Sequence, residues 1–457
     1  MNYAAYPEYK DSEVEWLGDV PFHWLRSKLG FESIVKARLG WKGLKADEYV
    51  EEGFIFLATP NIKNTNIDFV NVNRITYDRY VESPEIMLQK NDVLVAKDGS
   101  TTGTTNIIRS LPEPATVNSS IAVIRPLSKV HGLYLFYFFL SKFVQSTIKR
   151  VQDGMGVPHL FQADLRWFDI LLPPRDEQST IAAFLDHETA KIDRLIAKQE
   201  ELIVLLKEKR QAVISHAVTK GLNPDAPMKD SGVVWLGEVP AHWEVKRLRY
   251  ILPEITVGIV VEPSKYYASE GIPALRSLNV KPDSISTKNL VYISRESNAF
   301  LKKSCLKAGD LVAVRSGQPG TTAIIPKELD GCNCIDLIIL RKPLIGSEKY
   351  LCYYLNSEAA THQFTEGSGG AIQQHFNIST AMDLIVCFPP PQEQYSIAFF
   401  VSDESVKFEK TIDSALELVE LLQERRSALI SAAVTGKIDV RDWKPTDNIT
   451  QTAAEAN

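Results

Sequence analysis

Two runs of polar residues with matching spacing could bind a ligand through hydrogen bonds. The first follows the apolar run VLVA, which ends at Ala96, and the second follows LVAV, which ends at Val314. The side chains of Arg, Lys, Gln, Ser and Thr can all donate hydrogen bonds to a polar or anionic ligand. We predict that these runs are binding loops, with ordinary solvated turns as the alternative. The candidates are Lys97, Asp98, Ser100, Thr101, Thr102, Arg315, Ser316, Gln318, Thr321 and Thr322.

A second pair of loops carries side chains of the same kind. The segment NIK at 61–63 matches NVK at 279–281. We predict that cations and an amide around these segments also bind the ligand, and they are Lys63, Asn64, Arg276 and Lys281.

The signatures of common catalytic and cofactor sites are missing from the sequence. The run GSTTGTT from Gly99 has the small residues of a phosphate-binding loop but lacks its lysine. No HExxH, GxSxG, complete GxGxxG or Asn/Asp-Pro-Pro-aromatic motif occurs. His159 and His375 occupy equivalent positions, which allows a catalytic interpretation, but a structural or backbone-contacting role is favoured. The absence of all these motifs favours binding over catalysis.

The candidate loops belong to two copies of one unit. VEWLGDVPFHW at 14–24 recurs as VVWLGEVPAHW at 233–243, and PPRDEQSTIAAF at 173–184 recurs as PPPQEQYSIAFF at 389–400. NDVLVAKDG and GDLVAVRSG recur between them in the same order. Such a repeat indicates one fold used twice. The match is close at both ends of each copy and weak in the middle, so we expect a shared scaffold with different exposed surfaces.

A long helix is predicted after each proline run. Each segment of about 40 residues lacks Pro and Gly and places apolar residues three, four and seven apart. Such a helix is a rod of roughly 60 Å, and its apolar stripe would be exposed if it stood alone. We therefore predict that the two helices pair antiparallel as a coiled coil. The residues expected to pair the helices or dock partners are Phe184, Ile192, Ile196, Leu202, Leu206, Phe400, Phe408, Ile412, Leu418 and Leu422.

The predicted fold class is α+β. Two tandem mixed α/β domains are separated by two long antiparallel helices that form a coiled coil, in a pseudo-twofold internal repeat. One helix of the first domain is expected from His131 to Arg150, and Trp16 and Trp235 are expected to anchor each domain to the helix ends. The predicted boundaries are 1–20 for an N-terminal segment near the helix ends, 21–173 for the first domain, 174–222 for the first helix, 223–240 for a linker with the repeated WLGEVP segment, 241–389 for the second domain, 390–436 for the second helix and 437–457 for a flexible C-terminal tail.

Composition is ordinary for a globular protein, and charge does not exclude a nucleic-acid partner. The net charge is −6, but both domain segments carry a small excess of Lys and Arg, and the helices and termini are acidic. The five cysteines are an odd number without a CxxC pair, which favours reduced thiols in a cytoplasmic protein. The longest apolar run, LYLFYFFL, is too short to cross a membrane.

The layout resembles the specificity subunits of type I restriction-modification systems over about residues 14–440. The resemblance rests on the order WLGxVPxHW, variable domain, PPxxEQxxIAxF and long helix, followed by the same series again, and on the strand-turn GDLVAVRSG. It implies that each variable domain is a target-recognition domain that reads one half of a bipartite, asymmetric DNA site. On that basis we expect the two pairs of candidate loops to contact DNA, because Arg, Lys and Gln can bond base edges, and Ser and Thr can bond bases or phosphates. It also implies that the helices set the spacer and dock the methylation subunits.

The same resemblance implies partners and cofactors. The expected partners are double-stranded DNA, two methylation subunits and, where the system includes them, two restriction/translocase subunits, with no membrane. This chain is expected to be a non-catalytic DNA-binding subunit without a metal or cofactor of its own. S-adenosylmethionine, ATP and Mg²⁺ are expected on the partner subunits.

Two other functions remain open on the sequence alone. The first is a coiled-coil scaffold that holds two protein-binding domains and has no DNA role, which the basic excess of the domains disfavours. The second is a self-contained nuclease or methyltransferase fused to recognition domains. The missing motifs and the lack of a third domain oppose it.

Overall fold

The computed structural model describes residues 3–14, 17–38, 44–63, 65–153, 159–366 and 376–445. The chain forms two compact units, which differ from the predicted boundaries because each long helix is divided between them. Unit 1 comprises residues 1–199 and 417–457, and unit 2 comprises residues 200–416.

Unit 1 contains eleven described strands and five helices of its own, together with the first part of a long helix. The strands are β1 (Tyr9–Asp11), β2 (Asp19–Pro21), β3 (Leu25–Lys28), β4 (Ser33–Lys36), β5 (Phe54–Leu57), β6 (Asn73–Ile75), β7 (Val93–Ala96), β8 (Thr105–Ile107), β9 (Ala115–Val117), β10 (Ile121–Pro126) and β11 (Asp169–Leu172). The helices are α1 (Leu29–Glu32), α2 (Tyr77–Val81), α3 (Gly132–Leu140), α4 (Lys142–Asp153), α5 (Gln162–Arg166) and the long α6 (Arg175–Lys220).

Unit 2 repeats this series. Its strands are β12 (Met228–Asp230), β13 (Glu238–Pro240), β14 (Glu244–Arg247), β15 (Ile255–Val257), β16 (Tyr267–Ala268), β17 (Ile272–Leu275), β18 (Val280–Lys281), β19 (Ser284–Ile285), β20 (Val291–Ile293), β21 (Leu311–Val314), β22 (Thr322–Ile324), β23 (Asn333–Cys334), β24 (Leu337–Leu340) and β25 (Ile385–Phe388). Its helices are α7 (Arg295–Phe300), α8 (Glu348–Leu355), α9 (Glu358–Glu366), α10 (Ile378–Asp383) and the long α11 (Pro391–Val434).

The two units share the strand order of one sheet and a parallel strand pair in a second sheet, which has three strands in unit 1 and four in unit 2. A four-stranded sheet has the order β4-β10-β7-β8 in unit 1 and β15-β24-β21-β22 in unit 2. A second sheet contains a parallel pair, β5 with β9 in unit 1 and β17 with β23 in unit 2. The repeat in the sequence is therefore a repeat of the fold.

The strands that precede the candidate loops are buried on both faces, which explains their unbroken apolar runs. In β7, Val93 and Val95 face a core built on α3 and α6, whereas Leu94 faces a second core with Ile55 and Ile121. Strand β21 alternates between two cores in the same way. A strand held on both faces gives the loop after it a fixed starting point.

The helix predicted from His131 to Arg150 is broken at Ser141. The Ser141 hydroxyl donates to Phe138 O at 2.6 Å and accepts from the backbone N–H of Val144 at 3.3 Å. One side chain therefore ends α3 and caps the start of α4.

The long helices pair antiparallel within each unit. In unit 1, the Asp193 carboxylate lies 2.7 Å from Nε of Arg426. In unit 2, Ile203 of α6 packs with Ile412 and Ala415 of α11. Their order along the two helices runs in opposite directions, as the sequence predicts.

At three positions, the buried residue of a long helix is the one that follows the residue predicted to pair the helices; we call the line of buried residues between the helices the seam. Leu202, Phe400 and Leu418 are 40%, 37% and 41% exposed, and the residues that follow them are buried. Phe184, Ile192, Ile412 and Leu422 are buried, and Ile196, Leu206 and Phe408 are partly buried. The apolar stripe is wider than the seam, so its edge residues remain at the surface.

The C-terminal segment differs from the predicted flexible tail. Val440 is buried, and the Trp443 ring lies edge-on to the Phe184 ring at 5.6 Å. The backbone N–H of Asp439 donates to Ala4 O at 2.7 Å. Residues 437–445 thus complete the core of unit 1, and residues 446–457 lie outside the described residues.

Candidate nucleic-acid interface

Two backbone hydrogen bonds hold the first residue of the candidate loop of unit 1. The Lys97 backbone N–H donates to Ser120 O at 2.7 Å, and the Lys97 carbonyl accepts from Leu160 N–H at 2.9 Å. The next residue, Asp98, pairs with the ring Nδ1 of His159. His159 also lies edge-on to Phe161 at 4.2 Å, so its side chain is engaged in positioning the loop.

The loop then turns through solvent in a short 3₁₀ segment at Gly99–Thr101. Ser100 and Thr101 are exposed, whereas Thr102 is half-buried and its hydroxyl donates to Gly99 O at 2.8 Å. Ser100 and Thr101 therefore present hydroxyl groups outward, and Thr102 serves the turn.

The Gly-Thr-Thr motif that follows is structural in both units. Gly103 and Gly320 have φ of +90° and +86°, and the hydroxyls of Thr105 and Thr322 donate back to these glycines at 2.9 and 2.7 Å. Both Thr105 and Thr322 are completely buried. The prediction that Thr322 contacts DNA is therefore wrong in this structure, because its hydroxyl closes the turn.

The candidate loop of unit 2 exposes a different side chain. The Arg315 guanidinium pairs with Asp336, and its Nε donates to Phe376 O at 3.3 Å. Ser316 and Thr321 are half-buried, and Gln318 is exposed. The loop thus presents an amide, which can donate and accept, where unit 1 presents hydroxyls.

The second pair of candidate loops is fixed by matching asparagines. Asn61 Oδ1 accepts from Ala58 N–H at 2.8 Å, and Asn279 Oδ1 accepts from Arg276 N–H at 3.0 Å. Lys63 and Lys281 are exposed at these loops. The half-buried Arg276 donates from Nη2 to Asn289 O at 2.8 Å, so its head is partly engaged. Asn64 lies outside the described residues.

Unit 1 also contains a basic cavity that sequence reasoning missed. Its volume is about 640 Å³, and its charged lining residues are Lys36, Arg38, Lys97, Asp98 and Arg166. The lining also includes the ring of His159. Lys36 and Arg38 stand close to β4, far in sequence from Lys97, and β10 lies between β4 and β7 in the sheet. The alternating run IVKAR at 34–38 was the available sequence signal.

Burial disfavours the charged forms of the two most buried basic residues that line this cavity. Arg38 is 2% exposed and Lys97 is 5% exposed. Burial lowers the pKa of Lys97, although the neighbouring Asp98 opposes the change. Burial is also the largest cause that lowers the pKa of Arg38.

The PPxxEQ motif attaches each long helix to its domain. In unit 1 the buried Glu177 accepts from Tyr6 Oη at 2.6 Å and Trp24 Nε1 at 2.9 Å, and lies 2.8 Å from His23 Nε2. Gln178 donates from Nε2 to Pro173 O at 2.9 Å and accepts from His131 N–H at 2.8 Å. The motif is thus a positioning device at the start of the helix.

Unit 2 uses the same motif with fewer bonds. Glu393 lies 2.7 Å from Nε2 of His242, and Gln394 donates to Pro389 O at 2.8 Å. The Trp243 indole N–H is buried without a hydrogen-bond partner. The predicted anchor Trp235 stacks on His362 with ring centroids 5.7 Å apart. Its counterpart, Trp16, lies outside the described residues.

The described residues form neither a metal-binding cluster nor a membrane-spanning helix. The described part of the chain holds no group of three or more His, Cys, Asp or Glu residues placed to bind a metal ion. Within the same ranges, no helix combines the length and apolar character needed to cross a bilayer. All five cysteine thiols are free, and burial raises the pKa of Cys332 to about 12.

Comparison with known proteins converges on one family. A family model described as the type I restriction modification DNA specificity domain matches residues 42–203. The chain is 24% identical over 445 residues to the type I restriction enzyme MjaVIII specificity subunit of Methanocaldococcus jannaschii, covering 95% of this chain and 94% of that protein. It is 22% identical over 453 residues to the EcoKI specificity subunit of Escherichia coli K12, covering 93% and 91%. The chain is thus similar to type I specificity subunits over nearly its whole length.

Two solved structures share the fold of this chain. A chain described under complex assembly and conformational transition of the type I R-M system has a TM-score of 0.69 at 17% identity, covering 91% of this chain and 98% of that chain. The HsdS subunit from Thermoanaerobacter tengcongensis has a TM-score of 0.51 at 16% identity, covering 92% and 98%. The predicted class, with two mixed α/β domains and two long antiparallel helices, is confirmed.

Proposed function

We propose that this chain is a specificity subunit that gives a type I restriction-modification complex its DNA sequence preference. The supporting observation is that two units whose four-stranded sheets have the same strand order end matching strands in loops of different chemistry. Unit 1 presents the hydroxyls of Ser100 and Thr101, and unit 2 presents the amide of Gln318. Because these groups bond different base edges, each unit reads its own half of a bipartite, asymmetric site.

The paired helices set the distance between the half-sites. Recognition of two half-sites on one face of DNA needs a spacing of about one helical turn, ~34–36 Å, or a multiple of it. Helices of about 45 residues are long enough to serve this role, at ~1.5 Å per residue. Their exposed apolar residues, including Leu202 and Leu418, remain available to two methylation subunits.

Catalysis in this proposal belongs to partner subunits. The chain recognises DNA in the cytoplasm, and S-adenosylmethionine, ATP and Mg²⁺ are bound by the methylation and restriction subunits. Pairing of His159 with Asp98 at the base of the loop supports a positioning role for this histidine. The scaffold alternative predicts that the complex assembles without any effect on DNA.

The test is to co-express the chain with its methylation subunit and to map modified adenines by long-read sequencing. A single split, asymmetric motif is the expected result. A stable complex that modifies no DNA would favour the scaffold. A matched control is the same methylation subunit expressed without this chain, which should leave the motif unmodified.

A further inference from the structure

We propose that an open pocket of unit 2 binds an extended segment of a partner protein that carries an aromatic side chain beside an acidic residue. The pocket lies between the end of α6 and the start of α11 and has a volume of about 600 Å³. We call it the Phe400 pocket. The proposal concerns a protein-binding site and does not depend on DNA recognition. The apolar residues that line the pocket are Ala212, Val213, Ala217, Leu222, Pro224 and Phe400.

The equivalent place in unit 1 shows what covers this surface. Phe184 and Phe400 end the matching segments PPRDEQSTIAAF and PPPQEQYSIAFF, so they are counterparts. Phe184 is completely buried, because the rings of Tyr3 and Trp443 lie edge-on to it at 5.2 and 5.6 Å. Phe400 is 37% exposed. The same phenylalanine is thus covered by two aromatic rings in unit 1 and is open to solvent in unit 2.

Two chain segments reach this place in unit 1, and only one of the described segments reaches it in unit 2. The core of unit 1 contains the N-terminal Tyr6, and also Val440 from the segment after α11. In unit 2, residues 221–227 lead directly from α6 to β12. They correspond to the N-terminal segment of unit 1, since KDS at 229–231 matches KDS at 10–12. Unit 2 therefore has no counterpart of residues 437–445, and a partner segment can take that place.

The charge of the pocket indicates which residue should accompany the aromatic ring. Lys209 is exposed and is the one Lys, Arg, Asp or Glu residue in the lining. Its counterpart Arg425 lies near an aromatic ring, because burial raises the pKa of Tyr3 and Arg425 opposes the change. In the C-terminal segment, Asp442 directly precedes Trp443. A carboxylate beside the ring of a partner would be attracted to Lys209.

The surface beside the pocket is also more apolar than its counterpart in unit 1. Phe399 and Val406 are exposed on α11. Their counterparts on α6 are the small residues Ala183 and Ala190. Exposed groups of large apolar side chains are typical of protein contacts. An apolar surface with a single cation therefore favours a protein segment over a nucleic acid.

The Phe400 pocket breaks the twofold character of the chain. Because Tyr3 and Trp443 already cover Phe184, the described residues offer this site once. A partner that uses the pocket binds one copy per chain, in contrast to a partner that uses equivalent faces of both units.

The test uses the full chain, with a labelled peptide of residues 438–443, IDVRDW, as the probe. The control peptide carries Trp443→Ala. Ala212→Trp places a large side chain in the pocket from an exposed position, and Lys209→Glu reverses the charge. Lys207→Glu, on another face of the same helix, is the matched control. Fluorescence anisotropy gives the peptide affinity, and analytical ultracentrifugation gives the oligomeric state.

One equivalent of IDVRDW should bind the wild type and Lys207→Glu with equal affinity. The control peptide should bind about tenfold more weakly or worse, because it cannot bury the aromatic side chain. Ala212→Trp should abolish binding. Lys209→Glu should weaken it about two- to fivefold, since an exposed ion pair contributes little. If Ala212→Trp does not fold, Lys209→Glu and the control peptide decide the outcome.

Three results would overturn the proposal. The first is equal affinity of the two peptides, or unchanged affinity in both pocket variants. The second is no binding of IDVRDW to the wild type at millimolar concentration. The third is self-association of the wild type that Ala212→Trp abolishes, which would assign the pocket to a second copy of this chain.

Discussion

The indole N–H of Trp24 donates to the Glu177 carboxylate at 2.9 Å, which ties the end of the repeated WLGxVPxHW segment to the first turn of α6. Tyr6 and His23 converge on the same carboxylate. A motif that marks the start of a long helix thus also holds that helix on its domain.

Glu177→Ala should destabilise unit 1 by about 3 kcal/mol, because it leaves several buried donors without an acceptor. Glu393→Ala is the matched variant of unit 2, where the carboxylate is partly exposed and contacts His242. We expect it to cost about 1 kcal/mol or less. Urea unfolding measures both. Equal decreases in the free energy of unfolding would contradict our interpretation that Glu177 stabilises its unit more than Glu393 does.

Ile203→Ala should cost about 2–4 kcal/mol in unit 2, since it removes a buried side chain from the seam with Ile412. Its neighbour Leu202 is 40% exposed, so Leu202→Ala should cost about 1 kcal/mol or less. Denaturant midpoints of the two variants give the comparison. A larger loss of stability in Leu202→Ala than in Ile203→Ala would support the original prediction that Leu202 pairs the helices.

Lys97→Met should stabilise unit 1 by about 1 kcal/mol at pH 7 in phosphate-free buffer, since a buried charge is replaced by an apolar chain. The folded-state pKa of Lys97 is lowered from 10.5, so the native state loses this proton before the unfolded chain does. Wild-type stability therefore rises between the lowered pKa and 10.5, and the advantage of the variant shrinks there.

Urea midpoints of wild type and Lys97→Met at pH 7 and pH 10 test this sign. Lys198→Met is the control, because its exposed ammonium should give no pH-dependent difference. If the difference between the urea midpoints of Lys97→Met and wild type increased with rising pH, the folded structure would instead stabilise the charged form of Lys97.

Gln318→Ala should relax recognition in one half of the DNA motif and leave the other half unchanged. Loss of a good bidentate base contact reduces discrimination by about 1–3 kcal/mol at that position. Mapping of modified adenines in the co-expressed complex gives the readout. Thr101→Val in unit 1 is the reciprocal variant, and relaxation of the same half by both changes would contradict one unit per half-site.

Residues 1–222 expressed alone should form an isologous dimer. The core of unit 1 uses Ile430, Ala433 and Val434 from the end of α11. The end of α6 carries the same residue types in ISHAVT, where α11 has ISAAVT, so a second copy can supply them. Analytical ultracentrifugation at micromolar concentration should show the dimer. With methylation subunits, the dimer should modify a palindrome of the first half-site.

The sequence predicted the repeat and the long helices because each leaves a recognisable pattern. The basic cavity was missed because the run IVKAR at 34–38 and Lys97 are about 60 residues apart, and only the folded sheet brings them to one cavity. Leu202 rather than Ile203 was predicted to pair the helices, because a wide apolar stripe does not show which of its residues face the other helix. Thr322 was misassigned because a turn requirement and a DNA contact favour the same residue type.

Unit 1 is discontinuous in the chain, and this constrains the order of events during synthesis. Trp443 and Val434 complete a core whose other members, such as Phe184, are translated long before. Unit 2, at residues 200–416, can close as soon as it has left the ribosome. At ~5–20 residues per second, the first domain waits roughly 10–50 s with an open core. A chaperone that binds nascent chains would meet its exposed apolar surface in this interval.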